Sequence, residues 1–177
     1  DALGEVARCL RPGGDFVLEF ANKRHAKARV RHRLGRQRED PESTAPYEFV
    51  PLNWDFHPKH VEGVLAGVGL RVRERRAVSL FRQRHLKRVV PAPALARVDA
   101  IVGRRLGGLA PAPSQFVHAL SPGNGPPVAS LWRCPECSTE PLVEDASGLQ
   151  CPGCDRVWPV VDGIHVLRPG VSPRHAT

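Results

Sequence analysis

Two pairs of cysteines near the C-terminus constrain this chain more than any other feature. Cys134-Pro135-Glu136-Cys137 is followed, after 13 residues, by Cys151-Pro152-Gly153-Cys154. Two thiolates two residues apart form a knuckle that supplies half of a tetrahedron, and a second knuckle on a facing hairpin supplies the rest. The spacing is slightly shorter than the usual ribbon range but belongs to the same pattern. Residues 142–144 and 149–150 flank Asp145-Ala146-Ser147-Gly148, which predicts a hairpin between the knuckles. Four thiolates leave no open coordination position, so Cys134, Cys137, Cys151 and Cys154 predict a structural zinc site. The segment holds few apolar residues, so metal binding is expected to supply its folding energy, on the order of 10 kcal/mol or more. The rival chemistry is a pair of redox dithiols, which the second pair alone would allow. A redox motif usually opens a helix after a strand, and two copies at ribbon spacing are not expected there. The fifth cysteine, Cys9, stands alone on a short helical pattern, where a small buried thiol is expected.

Charge separates this module from the rest. The chain carries a net +8, with 26 cations of which only Lys23, Lys27, Lys59 and Lys87 are lysine. Residues 131–177 hold four arginines against six acids, a net of −2, so residues 1–130 carry +10. Four thiolates with Zn²⁺ would add about −2 to the module, which argues against phosphate binding by the ribbon itself. The basic remainder favours anionic partners such as nucleic acid, phosphate or lipid headgroups. The blander alternative is a solvated arginine-rich face. Residues 23–38 hold eight cations and no acid, and residues 71–88 hold another eight with Glu74 alone opposing. Only Phe81 lies close to them as a stacking partner, which weakens single-strand RNA recognition. Residues 1–10 lack a basic start and an apolar h-region, so a secretory signal is not expected; no apolar run reaches membrane-spanning length, and the cysteine usage is expected of a reducing cytoplasm.

Hydrophobic periodicity orders the first 120 residues, and a 41% apolar content is enough for a core. Leu3, Val6, Ala7 and Leu10 make one helical face. Arg11-Pro12-Gly13-Gly14 stops that helix. Phe16-Val17-Leu18-Glu19-Phe20 then reads as a strand buried on both faces, as in a parallel sheet. Residues 22–37 predict a helix with a narrow stripe of Ala26, Val30 and Leu34. Residues 38–53, with three prolines, predict a loop or lid. His57-Pro58 opens a clear helix whose buried face is Val61, Val64, Leu65 and Val68 and whose end is Gly67 or Gly69. Residues 70–80 predict a strand near an edge. Pro91 and Pro93 introduce a helix with Leu95, Val98 and Val102 on one side, and residues 115–120 predict a last strand. Residues 121–130 are a linker by composition. The expected domains are therefore 1–120, a ribbon over 131–170, and a disordered tail over 171–177.

Val6-Ala7-Arg8-Cys9-Leu10-Arg11-Pro12-Gly13-Gly14-Asp15-Phe16-Val17-Leu18 resembles the helix–turn–strand in the second half of class I S-adenosylmethionine-dependent methyltransferases. In that family a Leu-(Arg/Lys)-Pro-Gly-Gly turn leads into the fifth strand. The resemblance implies an α/β fold over residues 1–120, comprising strands five to seven of a Rossmann-like sheet with flanking helices, the seventh strand antiparallel. Residues 151–166, with Trp158-Pro159-Val160-Val161-Asp162-Gly163-Ile164, resemble small zinc-ribbon proteins that bind and activate tRNA, rRNA and release-factor methyltransferases. Both resemblances imply methyl transfer, with S-adenosylmethionine as cofactor and zinc as structural metal. The family's glycine-rich cofactor loop and its ribose-binding acid have no counterpart here. Gly103-Arg104-Arg105-Leu106-Gly107-Gly108 follows a helix rather than a strand. No residue of the chain is therefore assigned to the cofactor. The chain also contains no methionine, and it is expected to be the C-terminal portion of a longer enzyme, inactive alone.

Ligands of open α/β sheets bind at the carboxyl ends of the strands. Glu19, Asn22, Lys23 and Arg24 fall at or beyond the end of the 15–20 strand, and the 41–56 loop could fold over it, so these residues and His57 are the candidate substrate-side group. The structural alternatives are that Asn22 caps the next helix and His57 caps the one opened by Pro58. Methyl transfer needs mainly alignment of the acceptor with the sulfonium methyl, so no catalytic constellation is required here. Two further functions are compatible with the sequence: a basic RNA- or anion-binding module, and a partner-docking adaptor carrying a structural ribbon.

Overall fold

The computed structural model describes residues 2–81, 88–109, 111–122, 130–145 and 148–168. Part of the linker segment, the 171–177 tail and the cations Arg82, Arg84 and Lys87 lie outside the described residues. The chain divides into two compact units, Asp1–Gly125 and Pro126–Thr177.

The first unit is a mixed α/β structure on a five-stranded sheet. Helix α1 (Ala2–Cys9) runs into the turn at Gly13 and Gly14 and then into β1 (Asp15–Asn22). Gly13 has φ +72°, and a β-carbon on Gly14 would fall 2.8 Å from the Arg11 carbonyl oxygen, so the turn needs both glycines. After β1 come α2 (Ala26–Arg33), the hairpin β2 (Tyr47–Val50) and β3 (Asn53–Phe56), α3 (Pro58–Gly67), β4 (Arg71–Val78), α4 (Ala92–Arg105), a 3₁₀ turn (Gly107–Leu109) and β5 (Ser114–Leu120).

The strand order is β2-β3-β1-β5-β4, which puts β4 at an edge. β5 pairs antiparallel with both β1 and β4, so β1 and β4 run parallel with β5 between them. The parallel pairing of β3 with β1 covers only Ala21 with Asp55 and Asn22 with Phe56. A register shift between Val72 and Glu74 inverts the alternation along β4. Beyond it Ala77 is buried beside Gln115, while Glu74, Arg76 and Val78 share the other face with Phe116 and His118.

One face of the sheet carries the core. Phe20, Val117 and Ala119 pack with Val61 and Leu65 of α3 and with Leu70, flanked by Leu3, Ala7 and Leu10 on the α1 side and Phe16, Leu18 and Val72 from the strands. Helix α3 ends at Gly69, φ +82°, with the Gly69 amide donating to the Ala66 carbonyl and the Leu70 amide to Leu65. Those two bonds bring Leu70 back onto Leu65, the hydrophobic closure of a Schellman end. Ion pairing between Arg75 of β4 and Glu62 of α3 joins the same two elements.

Three sequence expectations need correction. β1 is not buried on both faces: Val17 is 60% exposed and, with Phe116, His118 and Val78, lines an open concavity of about 360 Å³. The reason is the antiparallel neighbour, since one covered face suffices for such a sheet. Segment 38–53 is not wholly loop, because its second part forms the β2–β3 hairpin. In α2 the Ala26–Val30–Leu34 stripe is exposed, and Ala28 is its buried residue.

Glycines replace large side chains where α4 meets the sheet. A β-carbon at Gly103 would lie 2.0 Å from the Ala77 carbonyl oxygen, and one at Gly107 would lie 2.0 Å from that of Arg75. The end of α4 and the following turn thus rest directly on the backbone of the edge strand, protecting it from further pairing. Gln115 Nε2 donates to the Gly107 carbonyl at 2.6 Å. We expect Gly103→Ala and Gly107→Ala each to cost about 1–3 kcal/mol of urea stability, the scale of overpacking. Gly63→Ala, on α3 with open space around it, should instead stabilise by about 0.5–1 kcal/mol.

Candidate metal centre and strand-end site

The second unit brings the four predicted cysteines together. The sulfurs of Cys134, Cys137, Cys151 and Cys154 all lie within 4.8 Å of one another. Cys134 and Cys154 sulfurs are 3.7 Å apart, and those of Cys137 and Cys151 are 3.4 Å apart. A tetrahedral zinc with bonds of about 2.3 Å sets its sulfurs about 3.8 Å from one another. The cluster therefore fits a structural ion such as zinc.

The two knuckles share one backbone plan. Cys134 N–H donates to the Thr139 carbonyl and Ser138 N–H to the Cys134 carbonyl; Cys151 N–H donates to Arg156 and Asp155 N–H to Cys151. Ser138 and Asp155, at matching positions, both take the left-handed conformation, with φ 61° and 55°. Arg156 of the second knuckle pairs with Glu136 of the first at 2.9 Å. A β-carbon on Gly153 would fall 2.2 Å from Thr139 Oγ1, so the second knuckle can close on Thr139 only with glycine there.

Strands β6 (Val143–Asp145), β7 (Gly148–Gln150) and β8 (Val157–Trp158) make a three-stranded sheet behind the knuckles, and β9 (Val160–Val161) pairs with β10 (Ile164–His165). Leu142, Leu149 and Trp158 pack against Cys134 and Cys151. With this few apolar groups, a metal held by the cysteines would complete the core.

Electrostatics point the same way. The Thr139 hydroxyl, 3.2 Å from Cys137 Sγ, leads the groups that lower the Cys137 thiol to about 6, ahead of the Thr139 amide and the Cys151 and Cys154 sulfurs. The Arg156 amide lowers Cys154, but desolvation and the facing sulfurs of Cys151, Cys137 and Cys134 outweigh it and push that thiol up to about 12. Four sulfurs at this spacing do not all ionise without a cation among them.

The strand-end site lies in the first unit. Asn22, Lys23, Arg24 and His57 gather at the carboxyl ends of β1 and β3. Glu19 does not join them: β1 continues to Asn22, which leaves Glu19 exposed within the strand. Asn22 is 1% exposed and ties the strand end down. Its Nδ2 donates to the Ala112 carbonyl at 2.8 Å, and its Oδ1 accepts from the Arg24 amide at 2.9 Å. Lys23, 3% exposed, donates to Glu39 at 3.2 Å and to the Ala45 carbonyl at 2.7 Å. Arg24 Nε meets Glu42 at 2.7 Å.

Both helices that leave this strand end are capped by histidine. His25, rather than Asn22, caps α2 by accepting from the Ala28 amide at 3.2 Å. His57 caps α3 by accepting from the Lys59 amide at 3.1 Å. An Nδ1 that accepts an amide proton must be unprotonated, and a helix N-terminus repels imidazolium. Burial lowers both histidines; Asp55 opposes the shift at His25 while Lys27 and Arg31 add to it, and Arg24 adds to it at His57 against Glu42. Burial raises Asp55 in turn.

Sequence reading counted Arg29 only among the cations of residues 23–38, and it missed His25, Glu42 and Asp55. The charge pattern held a signal for Glu42: Glu39, Asp40 and Glu42 follow directly on a run of eight cations. Also unforeseen were the exposed Tyr47, Phe49 and Trp54 of the β2–β3 hairpin.

Two outcomes are expected. The chain should bind one zinc. Thr139→Val, which removes the hydroxyl beside Cys137, should weaken binding about 10–100-fold in competition with a chromophoric chelator. The histidine caps should make the first unit acid-sensitive. Their folded pKa values lie below the ordinary 6.5, so the unfolded chain takes up protons first as pH falls. Stability is then complete above about 6.5 and declines below it. His25→Asn and His57→Asn keep a capping side chain that does not titrate. Each should flatten the urea midpoint measured between about pH 8 and 5.5 relative to wild type. The chain matches no protein-family model and no curated protein.

Proposed function

We propose that residues 1–120 form the acceptor side of a class I S-adenosylmethionine-dependent methyltransferase and that the cysteine module is its structural zinc ribbon. The observation that carries this reading is the arrangement of β1, β4 and β5. The resemblance implies a fifth strand after the Leu10-Arg11-Pro12-Gly13-Gly14 turn, then a sixth, then an antiparallel seventh. β1, β4 and β5 follow that turn in that order, and β5 alone runs antiparallel to the other two. Helix α3 is the last element of the connection from β1 to β4, after α2 and the β2–β3 hairpin, and it packs on the core face, as a crossover helix does.

Among the described residues, the glycines do not form the cofactor loop. Gly13 and Gly14 lead into a strand rather than out of one, and Gly103 and Gly107 lie against β4 with no room for a ligand between. S-adenosylmethionine supplies the electrophilic methyl group when bound. The part proposed for this chain is placement: Asn22 fixes the end of β1, while Arg24, Lys23 and His57 set charge and shape beside it. Ordering an acceptor in this way can account for much of a methyl-transfer rate. The exposed cations of α2, among them Lys27, Arg31 and Arg33, favour an anionic acceptor or partner.

Equilibrium dialysis of S-adenosylmethionine tests the reading. The chain as given should retain no cofactor, and the same chain extended by roughly 100 residues upstream in its reading frame, a normal domain length, should retain one equivalent. Binding by the short chain, or none by the extended one, would overturn the proposal.

A further inference from the structure

The chain closes its own strand end. Residues 37–45 run over the carboxyl end of β1, and their acids meet the first cations beyond it. Lys23 is the fixed pin of this strap, since it bonds Glu39 and the Ala45 carbonyl from a buried position. Gln37 Nε2 donates to the Glu39 carbonyl at 3.1 Å, and Pro41 is buried.

Glu42 is held differently. Its carboxylate is shared by two guanidinium groups, Oε2 lying 2.7 Å from Arg24 Nε and Oε1 lying 2.8 Å from Arg29 Nε. Arg24 comes from the turn after β1 and Arg29 from α2, so two separately positioned arginines converge on one oxyanion. Paired guanidinium groups are the preferred protein device for phosphate and carboxylate. The Glu42 side chain is 47% exposed, and ion pairs that open to solvent are weak. The strap does not depend on it, because the Lys23 pin holds without it.

The geometry points to Arg24 and Arg29 as the seat of a phosphate-bearing ligand, with the Glu42 carboxylate as an internal stand-in that the ligand displaces. Phosphate is favoured over a carboxylate by charge. Once Glu42 leaves, no other carboxylate among the described residues is ion-paired with Arg24 or Arg29, while Lys23 stays matched to Glu39. Two free positive charges suit a dianion. The seat is defined by oxyanion chemistry alone and stands whether or not the chain takes part in methyl transfer.

The test is a titration of inorganic phosphate into the zinc-loaded full chain, followed by NMR on the arginine Nε–H signals, with acetate as the carboxylate comparison. If Glu42 fills the seat about nine-tenths of the time, Glu42→Gln should tighten phosphate binding about tenfold. Arg24→Gln in the Glu42→Gln background should remove that gain, and acetate should bind more weakly than phosphate throughout. Equal binding by wild type and Glu42→Gln, or a gain that survives Arg24→Gln, would overturn the seat. Acetate matching phosphate would overturn the assignment to phosphate. Should Glu42→Gln not fold, Arg24→Gln and Arg29→Gln in the wild-type background must each weaken phosphate binding, and unchanged affinity would overturn the proposal.

Discussion

The antiparallel ladder between β1 and β5 is the interaction on which the first unit hangs. It pairs Asp15 through Ala21 with Leu120 through Ser114 without a break, joining segments about a hundred residues apart. Everything between is a closed loop whose ends this ladder holds. β4 adds to the far side of β5, α1 and α3 cover one face, and Asn22 fastens the end of β1 to the 112–113 backbone. β3, by contrast, touches β1 at two residues only. The sheet is therefore strong on one side of β1 and thin on the other. The thin side is where the strap, the hairpin and the charged residues lie, a division of rigid scaffold from adaptable surface that suits a binding role.

In the second unit the corresponding constraint is the convergence of four sulfurs. Two knuckles with the same hydrogen-bond plan face each other, and the small sheet behind them contributes Leu142, Leu149 and Trp158 to a core that the cysteines complete. Thr139 belongs to both halves, since it bonds to Cys137 and leaves room only for glycine at 153. An ion held by all four sulfurs would have no open coordination position, which fits a structural role.

How much of this was legible in the sequence depended on the range of the determining interaction. The four cysteines are a local pattern with a fixed geometry, and their convergence could be read from their spacing alone. The helix opened by Pro58 and the turn at Gly13-Gly14 were also legible, since each depends on the backbone preferences of a few adjacent residues. The open face of β1 was not. Whether Val17 meets water is decided by β5, which lies far along the chain. The α2 stripe failed for a related reason: the strap meets this region by charge, at Arg24 and Arg29, and Val30 and Leu34 stay exposed. His25 took the cap expected of Asn22 because α2 starts only at Ala26, directly after His25, and the Asn22 Oδ1 acceptor is already taken by the Arg24 amide.

Native-state hydrogen exchange on the zinc-loaded chain tests this organisation most directly. The account predicts that amides of the β1–β5 ladder are the slowest of the first unit and exchange together, near its global stability. Those of the β2–β3 hairpin and the 37–45 strap should open much earlier. Hairpin or strap amides as slow as the ladder, or ladder amides that exchange first, would contradict it.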